Sequence, residues 1–132
     1  MKGTFMKKEI IISKKVPAAI GPYSPALKIG NLVFVSGQLP MDPVNGEIVK
    51  GEIEAQAGRS LENLKVILES YSLSMENVVK TTIFLKDMNN FSRINKIYGG
   101  YFTGQFPARS CVEVSRLPKD ADIEIEAIAF CE

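Results

Sequence analysis

The chain has 132 residues, 45% of them hydrophobic and 23% charged, the proportions of one ordinary soluble domain that buries roughly two-thirds of the surface its unfolded chain exposes. Its 16 basic and 15 acidic residues leave a net charge of +1, without the basic excess expected of a nucleic-acid binder, and no apolar run approaches the roughly 20 residues of a membrane span. Histidine is absent, which removes Ser-His-Asp and Cys-His chemistry and the commonest zinc ligand. Any chemistry must use Tyr, Glu, Asp, Arg, Lys, Ser or Cys.

The start, MKGTFMKKEIIISKK, holds only Ile10 to Ile12 as an apolar stretch, too short for the apolar region of a secretion signal. Met6 is an alternative start, so residues 1–8 read as a flexible N-terminal extension to one domain over 1–132. Glu9 to Ser13 reads as a first strand, and Lys7-Lys8 and Lys14-Lys15 as a solvated face. PAAIGPYSPA carries Pro17, Pro22 and Pro25 and reads as a stiffened loop. Within it Tyr23 either packs over the core or holds its phenol where it donates a hydrogen bond. NLVFVS, Asn31 to Ser36, is a strand apolar on both faces, so it should be covered on both. Ser36-Gly37 ends it, and Gly37 is either a plain turn residue or a place where a ligand approaches the backbone. Asp42-Pro43 and Asn45-Gly46 are turn pairs, with Glu47 to Val49 as a short return strand.

The period then changes. In EIEAQAGRSLENLKVILESYS, Ile53, Ala57, Leu61, Leu64 and Leu68 recur at three- and four-residue steps, predicting an amphipathic helix of about 18 residues. VVKTTIFL, Val78 to Leu85, is rich in β-branched residues and predicts a strand. Asn90 to Tyr101 carries a second helical stripe: Phe91, Ile94, Ile97, Tyr98 and Tyr101. Cys111 to Val114 and Ile123 to Phe130 close the chain as strands. The order β-β-β-α-β-α-β-β predicts an α+β fold, a mixed β-sheet with two helices packed on one face. NLVFVS and TTIFL are too apolar for the other face to meet water, which predicts oligomerisation through it.

Two stretches near the C-terminus bear on chemistry. In FPARSCVEV, Arg109 stands at the start of a strand, aimed off its end; it is either half of an ion pair or a guanidinium fork for a substrate carboxylate. Cys111 reads as a small buried hydrophobe; absent a secretion signal, Cys111 and Cys131 are expected to be reduced thiols of a cytoplasmic protein. In DIEIEAIAF, period two puts Glu124 and Glu126 on one face about 6.5–7 Å apart. They are either a strand edge emerging into solvent or a pocket rim beside Arg109, whose strand is expected to pair with this one across a short hairpin. The register between them stays open.

Taken together, PAAIGPYSPA, LVFVSGQLPMDPVNGEI, VVKTTIFLKDMNNFSRINKIY and FPARSCVEVSRLPKDADIEIEAIA resemble the RidA (YjgF) family over about Pro17 to Ala129. The resemblance implies a chorismate-mutase-like fold and a homotrimer with sites in clefts between subunits. It implies a 2-iminobutanoate/2-iminopropanoate deaminase that hydrolyses 2-aminoacrylate, 2-aminocrotonate and their 2-imino acid tautomers, released by pyridoxal-phosphate enzymes, to 2-keto acids and ammonia. No cofactor is implied. By position, Arg109 clamps the carboxylate, Glu124 orients water and moves protons, and Tyr23 hydrogen-bonds at the reacting nitrogen or the water. Ser36, Gly37, Cys111 and Asn95 line the cleft. Pro25 stands where many relatives have glutamine, and the TGQ segment before FPARS is shorter than in some, which bears on substrate range.

Two other function classes fit less well. A non-catalytic 2-keto acid-binding regulator needs Arg109 but neither Glu124 nor Tyr23. A translation-inhibiting ribonuclease is disfavoured by near-neutral charge and the lack of a histidine acid/base pair.

Overall fold

The computed structural model describes residues 7–11 and 13–132. Strands β1 (Ala26–Ile29), β2 (Leu32–Gln38), β3 (Val78–Leu85), β4 (Ala108–Glu113) and β5 (Ile123–Phe130) form one mixed sheet in the order β1-β2-β5-β3-β4. Helices α1 (Ile53–Ser70) and α2 (Phe91–Gly99) pack on it, as the change of hydrophobic period predicts. β1 and β2 form a hairpin whose turn begins at Gly30, in the left-handed conformation (φ +57°) that glycine adopts without strain. β3 runs antiparallel to β5, and β4 parallel to β3, the α2 crossover between them making that direction possible.

The core lies between the sheet and α1. Ala57, Leu61, Leu64 and Leu68 from α1 are fully buried, with Ile83 and Leu85 of β3 and Ile123, Ile125 and Ala129 of β5 opposite. Alternation along β5 is clean: Ile123, Ile125, Ala127 and Ala129 face the helices, while Glu124, Glu126, Ile128 and Phe130 face away. That second face carries partly exposed apolar side chains along its whole width. Leu27 pairs with Phe34, Phe34 with Ile128, Leu32 with Phe130 and Phe84 with Val112.

Four local expectations are corrected. Glu9 to Ser13 is no strand among the described residues: Glu9 exchanges one pair of backbone hydrogen bonds with Lys28, both 2.8 Å, and Ile12 lies outside them. The return strand at Glu47 to Val49 is a single bridge between Met41 and Ile48. The proline-rich loop read as running to Ala26 ends one residue earlier: Ala26 to Ile29 is β1, a short strand that starts directly after Pro25. Most consequentially, β4 pairs with β3 and not with β5, so no hairpin joins Arg109's strand to Glu124's. Of the extension expected over 1–8, residues 1–6 lie outside the described residues, and Lys7 and Lys8 are exposed. No helix among the described residues is long and apolar enough to cross a membrane.

Candidate active site

Arg109 is the second residue of β4, paired with Thr81 of β3. It is not aimed off the strand's end. Thr81 faces the helices, so Arg109 does too, and α2 lies over it. Phe91, Asn95 and Tyr98 recur at four- and three-residue steps on α2 and share one helix face. The Arg109 guanidinium carbon lies 5.3 Å from the Phe91 ring centroid and 5.0 Å from that of Tyr98, within cation–π range of both. Its Nη1 donates to Asn95 Oδ1 at 2.7 Å. Tyr98 is itself held by a 2.7 Å hydrogen bond between its hydroxyl and Thr81 Oγ1. Burial pushes the Tyr98 phenol up, with Thr81 and Arg109 acting against it.

Arg109 takes part in none of the ion pairs among the described residues. Two rings and an amide therefore fix the guanidinium plane without neutralising it. Beside it opens a cleft of about 370 Å³, lined by Asn95, Tyr98, Gly99, Phe106, Pro107 and Arg109. The combination of a planar cation and apolar walls suits a small carboxylate with an aliphatic side chain. Cys111 follows on the same face of β4. It is a free thiol, half-buried and pushed up by burial, with Arg109 opposing the shift.

Tyr23, Ser36, Gly37 and Glu124 gather elsewhere. Between Val35 and Gln38 the β2–β5 register shifts, β2 spending three steps where β5 spends two. The extra residue is a bulge at Ser36-Gly37, a device that re-aims side chains next to sites. Ser36 Oγ donates to Ser24 O at 2.6 Å, tying the bulge to the proline-rich loop. Tyr23, exposed at that loop's tip, accepts a 3.4 Å bond from Ile20 N at its hydroxyl. Tyr23, Ser36, Phe34 and Glu126 line a second cleft of about 380 Å³. Gly37 lies against Glu124: a Cβ on it would stand 2.6 Å from the carboxyl carbon. Glu124 is half-buried, and burial, reinforced by the charge of Glu126, pushes its carboxyl above the ordinary 4.5.

One chain thus holds two clusters. Arg109, Asn95 and Cys111 lie on the helix side; Tyr23, Ser36, Gly37 and Glu124 belong to the opposite side of the sheet and its β1–β2 end. Arg109 sits in the Thr81–Ala127 row and Glu124 in the Phe84–Val112 row, with β3 between their strands. Of the two glutamates in DIEIEAIAF, Glu126 lines the second cleft and Glu124 lies against Gly37; neither lines the cleft at Arg109. Sequence reasoning missed Phe91, Tyr98 and Phe106 around Arg109, although the aromatic–amide–aromatic spacing of Phe91, Asn95 and Tyr98 was a readable signal. Among the described residues no group of His, Cys, Asp or Glu is arranged to hold a metal ion.

A mixed five-stranded sheet with two helices on one face defines a small α+β protein, with one cleft beside Arg109 under α2 and another beside the β2 bulge. The model of the family Endoribonuclease L-PSP matches residues 13–131, and the chain belongs to this family, also called YjgF, RutC or RidA. A RutC family protein of Pyrococcus abyssi is 55% identical over 127 residues, 96% of this chain and 100% of that one. The 2-iminobutanoate/2-iminopropanoate deaminase of Escherichia coli K12 is 51% identical over 122 residues, 90% of this chain and 94% of that one. A solved Thermotoga maritima structure superposes with a TM-score of 0.91 at 51% identity, covering 94% of this chain and 98% of that one.

Proposed function

We propose that this protein hydrolyses small 2-imino acids, the tautomers of 2-aminoacrylate and 2-aminocrotonate, to 2-keto acids and ammonia, and that it does so in the cytoplasm as a homotrimer. The observation that carries the reading is Arg109: a guanidinium locked by Asn95, Phe91 and Tyr98, free of any carboxylate among the described residues, and open to an apolar-walled cleft. The deaminase name of the Escherichia coli relative supports the reaction.

The two clusters of one chain become one site when the apolar sheet faces of three chains meet. The Arg109 cleft of one chain then faces Tyr23, Ser36 and Glu124 of the next. Arg109 holds the substrate carboxylate. The imine carbon is already electrophilic, so no covalent nucleophile is required. Water adds to it, the C–N bond breaks, ammonia leaves and a carbonyl remains. Glu124, with its raised carboxyl pKa, takes a proton from the water and returns one to the departing nitrogen. Tyr23 hydrogen-bonds at the nitrogen or the water.

The test is imine trapping. A threonine dehydratase generates 2-aminocrotonate in the presence of semicarbazide, and semicarbazone formation is followed with and without this protein. Catalytic amounts of protein should lower the trapped fraction. Unchanged trapping together with binding of 2-ketobutyrate would instead make it a keto-acid-binding protein. RNA cleavage, which the family model's description names, has no histidine pair and no basic stripe to support it in this chain.

A further inference from the structure

Glu76 lies outside both clusters, fully exposed, yet its carboxylate is occupied. Its Oε1 accepts from Thr103 N and from Thr103 Oγ1, each at 2.9 Å. Its other oxygen lies over Gly104, where a Cβ would stand 2.7 Å from Oε2. These bonds, with one from the Gly104 backbone, hold the carboxyl below the ordinary carboxylate value. The base from which Glu76 projects is rigid. It is the central residue of a single 3₁₀ turn, Met75–Asn77, capped by Ser74, and Asn77 Nδ2 donates to Phe130 O at the end of β5 at 3.0 Å.

The segment that Glu76 grips leads into the Arg109 cleft. Phe102 is buried, its ring 4.9 Å from Tyr98 and 6.1 Å from Phe106. Phe106 and Pro107 form a wall of the cleft. Between Phe102 and Phe106, no backbone–backbone hydrogen bond among the described residues involves Thr103, Gly104 or Gln105. Among the described residues the polar anchor there is the Glu76 carboxylate. Phe106 is 65% exposed, so core packing does not fix it.

We infer that Glu76 is a positioning residue for the Arg109 cleft: by pinning Thr103 and Gly104 it holds Phe106 as the apolar wall that grips the side chain of a small 2-imino or 2-keto acid. The inference rests on the reading of that cleft given above. Glu76 touches no substrate; it acts through the segment. Its effect therefore falls on binding and on the preference for longer side chains, and the chemical step is left alone.

The test compares Glu76→Ala with Glu76→Gln, which keeps an acceptor oxygen for both Thr103 bonds. Glu76→Ala should raise KM for 2-iminobutanoate about fivefold with kcat within about twofold, whereas Glu76→Gln should stay near the parent protein. Two readouts do not depend on activity: amide hydrogen exchange at Thr103, and the rate at which phenylglyoxal labels Arg109. Both should rise severalfold in Glu76→Ala and not in Glu76→Gln. If the parent protein shows no turnover, the deaminase reading fails, and labelling and exchange still decide the anchor. Unchanged exchange or unchanged Arg109 labelling in a folded Glu76→Ala overturns the inference, as does a kcat loss without a KM change.

Discussion

Gly37 lies so close beneath the Glu124 side chain that any Cβ at position 37 would stand 2.8 Å from Cγ and 2.6 Å from the carboxyl carbon. The glycine at the end of LVFVSG is thus neither a mere turn residue nor a generic small residue. It leaves room for the carboxylate that β5 places over it. Gly37→Ala should push Glu124 aside while the protein stays folded. Turnover should fall about a hundredfold, the usual cost of misplacing a reacting group by an ångström or so. Imine trapping alongside circular dichroism checks this.

Glu124 also predicts a pH dependence. Its carboxyl titrates above 4.5 in the folded chain because of burial and the neighbouring Glu126 charge. As pH rises past the ordinary value, the unfolded chain loses this proton first. The folded state then binds more protons, and stability falls across that window and stays lowered above it. Glu124→Gln should therefore raise Tm relative to the parent at pH 7 and lose that advantage at pH 4. Activity should disappear in the same variant.

Glu126→Gln removes the smaller cause of the same shift. The limb of the pH–rate profile governed by Glu124 should move to lower pH, with the fold unchanged. A limb that does not move separates Glu124 from the rate.

Arg109 is held by geometry more than by charge. Arg109→Lys keeps the cation but loses the planar fork and the stacking on Phe91 and Tyr98. Its kcat/KM should fall about tenfold to a hundredfold, the worth of a charge-assisted hydrogen bond, mostly through KM. Arg109→Ala should abolish turnover in a chain that still folds.

Phe34 is the aromatic centre of the open sheet face, 39% exposed and paired with Leu27 on one side and Ile128 on the other. Phe34→Glu should convert a trimer to monomers in light scattering and remove activity with it. A trimer that survives the substitution would place the interface elsewhere.

Much of the fold was legible because it rests on local periodicity. Leu61, Leu64 and Leu68 mark the buried stripe of α1, and Ile123, Ile125, Ala127 and Ala129 mark one face of β5, without any long-range information. β1 was not legible, since four residues after a proline and including Lys28 give no strand signal of their own. The partner of β4 was not legible either. A hairpin to β5 is the short-range default, and β3 displaces it through pairings that close the α2 crossover. The site residues named from FPARS and DIEIEAIAF fall in clefts or beside the bulge. Their separation onto two sides of the sheet followed from that same long-range pairing, as did the cage around Arg109.

If Arg109 and Glu124 serve one site from two different chains, two inactive variants should complement each other. Arg109→Ala and Glu124→Gln proteins, each inactive alone, are unfolded together, refolded as mixed trimers and assayed by imine trapping. In a mixed ring some interfaces pair the intact Arg109 of one chain with the intact Glu124 of its neighbour, and random mixing makes about a quarter of sites whole. Activity should return to about that fraction of the parent's. Mixed trimers, verified by mass, that stay as inactive as either variant alone would contradict a shared site.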